Sequence, residues 1–152
     1  MSEFIDHLAD LTALRDRDTL DVSLAAALRD LLRPLRVAVH RVTGDAGDER
    51  WLTRARLNGN DIIATADSVW SDAASLPPLS SQPLWCRCLE DGNECVVGGE
   101  PVTTLLPMPG EGGSAGLVEL VTEAPLSDEL MRLAVGVMRI YRNVQSLLDY
   151  SE

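Results

Sequence analysis

Cysteine is scarce in this chain. There are three, Cys86, Cys88 and Cys95, an odd number that builds no disulfide framework and fits a reducing cytoplasm. Basic residues are also few, 13 against 24 acidic ones, which leaves a net charge of −11. Phosphate backbones and anionic lipids call for a basic surface, so neither nucleic acid nor membrane is an expected partner, and the acidity reads as solubility. No run of about 18 apolar residues exists, so no spanning helix is expected. The N-terminus, Met-Ser-Glu-Phe-Ile-Asp, has neither the basic n-region nor the long apolar h-region of a secretory signal.

Catalytic patterns are missing as well. No Ser-His-Asp or Cys-His arrangement stands at a recognisable spacing. The run Gly110-Glu111-Gly112-Gly113 lacks the Lys-Ser/Thr and helix start of a phosphate loop, so it reads as a hairpin connection. Asp16, Asp18 and Asp21, and the group Asp45, Asp48 and Glu49, match no calcium loop and read as solvated turns. Cys86 and Cys88, two apart on a helix, point about 200° away from each other. A zinc site needs about four Cys or His ligands, and His7 and His40 lie in other elements. The cysteines therefore read as small buried apolar residues, with a thiol or metal redox sensor as the alternative.

What is present is one domain's worth of ordered pattern. Residues 3–16 have helical spacing in Phe4, Leu8 and Leu11. Residues 19–33 predict a second helix, with Leu24, Leu28, Leu31 and Leu35 in a stripe and Pro34 as its stop. Strands are expected at 36–43, 50–57, 61–66, 94–98, 102–108 and 115–122, separated by Gly, Asn and Asp turns. Residues 67–83, rich in Ser, Asp and Pro, read as a long surface loop. Pro83 and Gly92 bracket a short helix over 83–91. Consecutive hairpins predict an antiparallel sheet of about six strands, an α+β fold. The terminal helices would cover one face, and the loop and short helix a pocket on the other.

From Ser127 onward the pattern is a single helix. Leu130, Leu133, Val137, Ile140, Val144 and Leu147 recur at 3-4-3-4-3 spacing, with Val at two a positions and Leu at two d positions. That choice favours a parallel two-stranded coiled coil, so these six are the expected dimer interface. Residues 1–126 are then a sensor domain and 127–152 a signalling helix that runs on toward an output domain. For the pocket, the expected lining is Trp70, Trp85, Cys86, Cys88 and Val97, with Thr104 and Leu106 below. Trp70 and Trp85 either stack on a flat ligand or anchor the loop. Trp51 reads as core, and His40, alone on a strand, as structural. Nothing in the sequence names a cofactor.

The strand Thr103-Thr104-Leu105-Leu106-Pro107-Met108, the glycine turn, and Ala115-Gly116-Leu117-Val118-Glu119-Leu120 resemble the closing hairpin of GAF domains. Two helices before the first strand favour that family over PAS-like or roadblock-type modules. The resemblance covers roughly residues 3–150. It implies a non-enzymatic cytoplasmic regulatory domain of a bacterial signalling protein, binding a small molecule or a partner. The last residues, Leu147 to Glu152, look like the linker before GGDEF domains, the diguanylate cyclases that make cyclic di-GMP, although the opening D-x-L-T-G-L-like segment is absent. A histidine kinase is an alternative output. Some GAF proteins reduce free methionine sulfoxide with pocket cysteines, but the adjacent Cys86 and Cys88 and the signalling helix do not fit a stand-alone reductase. The rival reading from another class is a dimerisation scaffold whose pocket is filled by its own side chains.

Overall fold

A computed structural model describes residues 17–44, 47–59, 76–110 and 115–151. The helix expected over 3–16, the strand expected over 61–66 and Trp70 lie outside the described residues. Helix α1 spans Arg17–Leu32, and strands β1 (Arg36–Thr43) and β2 (Arg50–Asn58) follow. A 3₁₀ turn at Leu79–Ser81 leads into α2 (Pro83–Asp91). Then come β3 (Cys95–Val97), β4 (Val102–Met108), β5 (Gly116–Thr122) and the long α3 (Asp128–Ser151). The described strands form one five-stranded sheet in the order β2-β1-β5-β4-β3, with every pairing antiparallel. The architecture is α+β, as the hairpin order predicts.

Local chemistry sets the element ends. Pro34 disfavours a helical residue before it, and Arg33 turns left-handed at φ 51°, closing α1. Gly92, at φ 71°, caps α2 by donating its N–H to the Cys88 carbonyl. The Ser127 hydroxyl accepts the Leu130 N–H at 3.2 Å and starts α3. Gly116 has no room for a side chain, because a Cβ there would stand 2.5 Å from the His40 carbonyl oxygen.

The sheet is buried on both faces. On one face α1 and α3 pack together over Val37, Val39, Ala55, Leu57, Leu106, Met108, Val118 and Leu120. Within this layer Asp21 of α1 and Arg41 of β1 form a buried fork, with Nη2 to Oδ1 at 2.6 Å and Nε to Oδ2 at 3.1 Å. The β1–β2 register slips between Val39 and His40, so that Arg54 of β2 is skipped in the pairing. Its Nε comes within 3.9 Å of the same Asp21 carboxylate. On the opposite face α2 sits over a smaller cluster of Val42, Trp51, Cys88, Leu105, Ala115 and Leu117.

Candidate functional site

The second face does not close completely. The segment leading into α2 is stitched to β2: the Trp51 N–H donates to the Pro77 carbonyl at 2.9 Å, and Arg50 Nη1 donates to the Leu76 carbonyl at 2.7 Å. That seam carries the start of α2 across the β1–β2 half of the sheet. Between them lies an open cavity of about 330 Å³ lined by Arg36, His40, Trp51, Thr53, Arg56, Pro77, Gln82, Trp85 and Glu119. The size falls at the low end of ordinary small-molecule sites.

The floor is a polar chain across three strands. His40 of β1 meets Thr53 Oγ1 of β2 through Nδ1 at 2.9 Å and Glu119 Oε1 of β5 through Nε2 at 3.4 Å. Arg36 Nη2 stands 3.8 Å from the other Glu119 oxygen. Burial acts to raise the Glu119 carboxyl, but the His40 hydrogen bond and the charges of His40, Arg36 and Arg56 outweigh it and hold it below its ordinary value. The roof is aromatic. Trp85 stacks on His40 with ring centres 4.3 Å apart and planes 25° apart, and meets Trp51 edge-on at 5.3 Å. Among the described residues, neither the Trp51 indole N–H nor the Arg36 Nε–H has a hydrogen-bond acceptor.

Of the expected pocket residues that are described, Trp85 alone lines this cavity. Cys88 is buried in the cluster under α2, its thiol donating to the carbonyls of Asn93 and Leu105. Cys86 and Val97 pack at that cluster's margin, and the Cys86 thiol donates to the Leu79 carbonyl. Thr104 and Leu106 belong to the other side of the sheet. Leu106 is part of the α1–α3 core, and Thr104 pairs across from Leu120 of that core. β4 is buried on both faces, so its residue types carry no signal for which phase points where. Sequence reasoning missed Arg36, His40, Thr53, Arg56, Gln82 and Glu119. The available clue was an i, i+4 strand pair, Arg36 and His40, that shares a face with Ala38 and Val42.

Burial first, then the negative charge of Glu90, raises the Cys86 thiol. Burial first, then Cys95, Asp91 and Glu94, pushes Cys88 up to about 11. Among the described residues no three His, Cys, Asp or Glu side chains gather closely enough to hold a metal ion. No described helix is long and apolar enough to cross a membrane.

The expected seam on α3 divides in two. Val137 and Val144, at 2% and 8% exposure, face the chain's own core, with Leu130 at its edge. Leu133 and Leu147 stand outward at 40% and 66%, and Ile140 between them is half-buried.

A sheet in this order, with two helices on one face and a short helix over a cavity on the other, is the fold of GAF domains. The chain superposes on the GAF domain/HD domain protein of Geobacter sulfurreducens with a TM-score of 0.65 at 17% identity, over 92% of this chain and 98% of that one. It matches residues 122 to 287 of a methyl-accepting chemotaxis protein with a TM-score of 0.71 at 12% identity, over 96% and 98%. It matches the GAF domain of the cyanobacteriochrome TePixJ with a TM-score of 0.60 at 15% identity, over 92% and 95%. No protein-family model matches the sequence, and no curated protein matches it closely.

Proposed function

We propose that this chain is a sensory domain without catalytic activity of its own. A small molecule or a partner group occupies the cavity between the sheet and α2, and α3 passes the change to an output domain. Two copies pair in parallel through the outer row of α3, Leu133, Ile140 and Leu147. The observation that carries the reading is the division of labour between faces: a polar, aromatic-roofed cavity on one, and a long helix with an unspent apolar row on the other. The fold is shared with a methyl-accepting chemotaxis protein and a cyanobacteriochrome, which supports a signalling role. The likeness of the terminal segment to the linker before GGDEF domains favours a diguanylate cyclase, making cyclic di-GMP, as the output. Both Cys86 and Cys88 have raised thiol values, which speaks against a thiolate-based redox sensor.

One observation favours the rival scaffold. Trp85 already stacks on His40 and fills part of the site. A thermal-shift and tryptophan-fluorescence screen of a chemically mixed panel (anions, cations and neutral ring compounds) separates the two. A sensor gives at least one stabilising compound whose effect is weakened in Trp85→Ala. A scaffold gives none, and Trp85→Ala then simply loses stability.

A further inference from the structure

Resting on the small-molecule reading of the cavity, we infer that its ligand is a flat ring bearing one carboxylate. Three observations point to an acceptor-rich anion. Among the described residues, the lining holds two guanidiniums, Arg36 and Arg56, and one carboxylate, Glu119, in a molecule that is otherwise strongly acidic. Two N–H donors on the lining residues, Trp51 Nε1 and Arg36 Nε, are buried and have no acceptor among the described residues, and Trp51 itself is 1% exposed. A buried donor without a partner costs free energy that a ligand oxygen recovers. The start of α2 adds the same demand. Gln82 and Trp85 line the cavity, no side chain caps that helix end, and its first turn carries no acidic residue. The positive end of the helix dipole there favours an anion.

The ring follows from the roof. Trp85 stacks on the His40 imidazole and meets the Trp51 edge, so the cavity is walled by aromatic faces. A planar body slides between or replaces such a stack with little loss of contact. Glu119 is committed to His40 and Arg36 and repels a second negative charge, which limits the ligand to one. A carboxylate rather than a phosphate dianion satisfies that limit.

Titration calorimetry on the whole chain tests this with five probes: benzoate, indole-3-carboxylate, the neutral amide of each, and inorganic phosphate as a ringless anion. The ring carboxylates should bind about tenfold or more tightly than their amides, because charge-assisted hydrogen bonds exceed neutral ones by that margin. Arg36→Met should erase the preference while leaving the amides unchanged, and Trp51→Phe should weaken the carboxylates and keep the ring contact. Amides bound as tightly as carboxylates would overturn the ligand class and leave a small-molecule sensor standing. Phosphate bound as well as the ring carboxylates would overturn the ring. Failure of every carboxylate probe at millimolar concentration would overturn the inference, and a neutral or cationic hit in the mixed panel would then keep the sensory reading. The wild-type comparison of acid with amide decides the matter even if a variant misfolds.

Discussion

Glu119 is the residue whose charge state organises the cavity floor. Folding lowers its carboxyl below the ordinary 4.5, so its contribution to stability is complete above that value and is lost as the pH falls through the folded one. Urea unfolding of wild type should therefore weaken as the pH drops below about 4.5, and Glu119→Gln should flatten that part of the profile. An unchanged profile would show that Glu119 is not held by its neighbours. Cys88 makes the opposite case. Burial and nearby negative charge keep it protonated, with a thiol value of about 11. In native protein at mildly alkaline pH, peptide mass spectrometry should find Cys88 unmodified by iodoacetamide, and fully modified once the chain is unfolded. Rapid native labelling would mean that α2 opens readily. The role of Glu119 was not legible in the sequence; the reading of the cysteines as small buried apolar residues holds for Cys88, but its partners were not legible. A glutamate in a strand and a cysteine in a short helix acquire their surroundings from strands far away in the chain.

The elements themselves were far more legible. Pro83 and Gly92 give α2 its observed bounds, because each acts through a local backbone constraint that needs no tertiary partner. Ser127 marks the start of α3 for the same reason. The interior phase of β4 was not legible, since a run such as Thr-Thr-Leu-Leu-Pro-Met, buried on both sides, has no polar alternation to read. The α3 heptad shows a subtler limit. Its six apolar positions are real, but the chain's own core uses Val137 and Val144. The two rows should therefore respond differently to the same substitution. Ile140→Asp should lower dimer affinity by sedimentation and leave the melting temperature of dilute protein nearly unchanged. Val144→Asp should bury a carboxylate in the folded domain and cost several kcal/mol of stability at any concentration. Equal effects of the two on melting would remove the distinction between the rows.

At the scale of the whole molecule, the α1–α3 layer and the sheet are joined by polar as well as apolar contacts. Asp21 and Arg41, at 3% and 7% exposure, bind each other through two hydrogen bonds, and the Tyr141 hydroxyl of α3 donates to the Ser23 carbonyl of α1. Removing one partner of such a fork strands a buried charge, so Asp21→Ala should destabilise the chain by about 3–5 kcal/mol. The double variant Asp21→Leu with Arg41→Met should recover part of that loss in denaturant titration, since Arg41 no longer stands buried without its carboxylate, while Arg54 still loses its Asp21 neighbour. A double variant as unstable as the single one would place the cost in packing and not in charge. The overall charge makes a second point at this scale. A chain of net charge −11 disfavours anions at a distance, yet gathers two guanidiniums and a histidine around one carboxylate among the described residues of a single recess. Composition sums over the surface and hides such local reversals.

The split of α3 into an inward and an outward row has a consequence for the proposed pairing of copies. The inward row completes the fold within a single polypeptide, so nothing about separation requires unfolding. Under the proposed pairing, held only by Leu133, Ile140 and Leu147, dimers would dissolve and re-form while each member stays intact. Two populations carrying different fluorophores, once mixed, should scramble into mixed pairs far faster than either population unfolds. In a cell, the proposed pairing would be a market of interchangeable halves, in which an occupied copy is matched with an empty one.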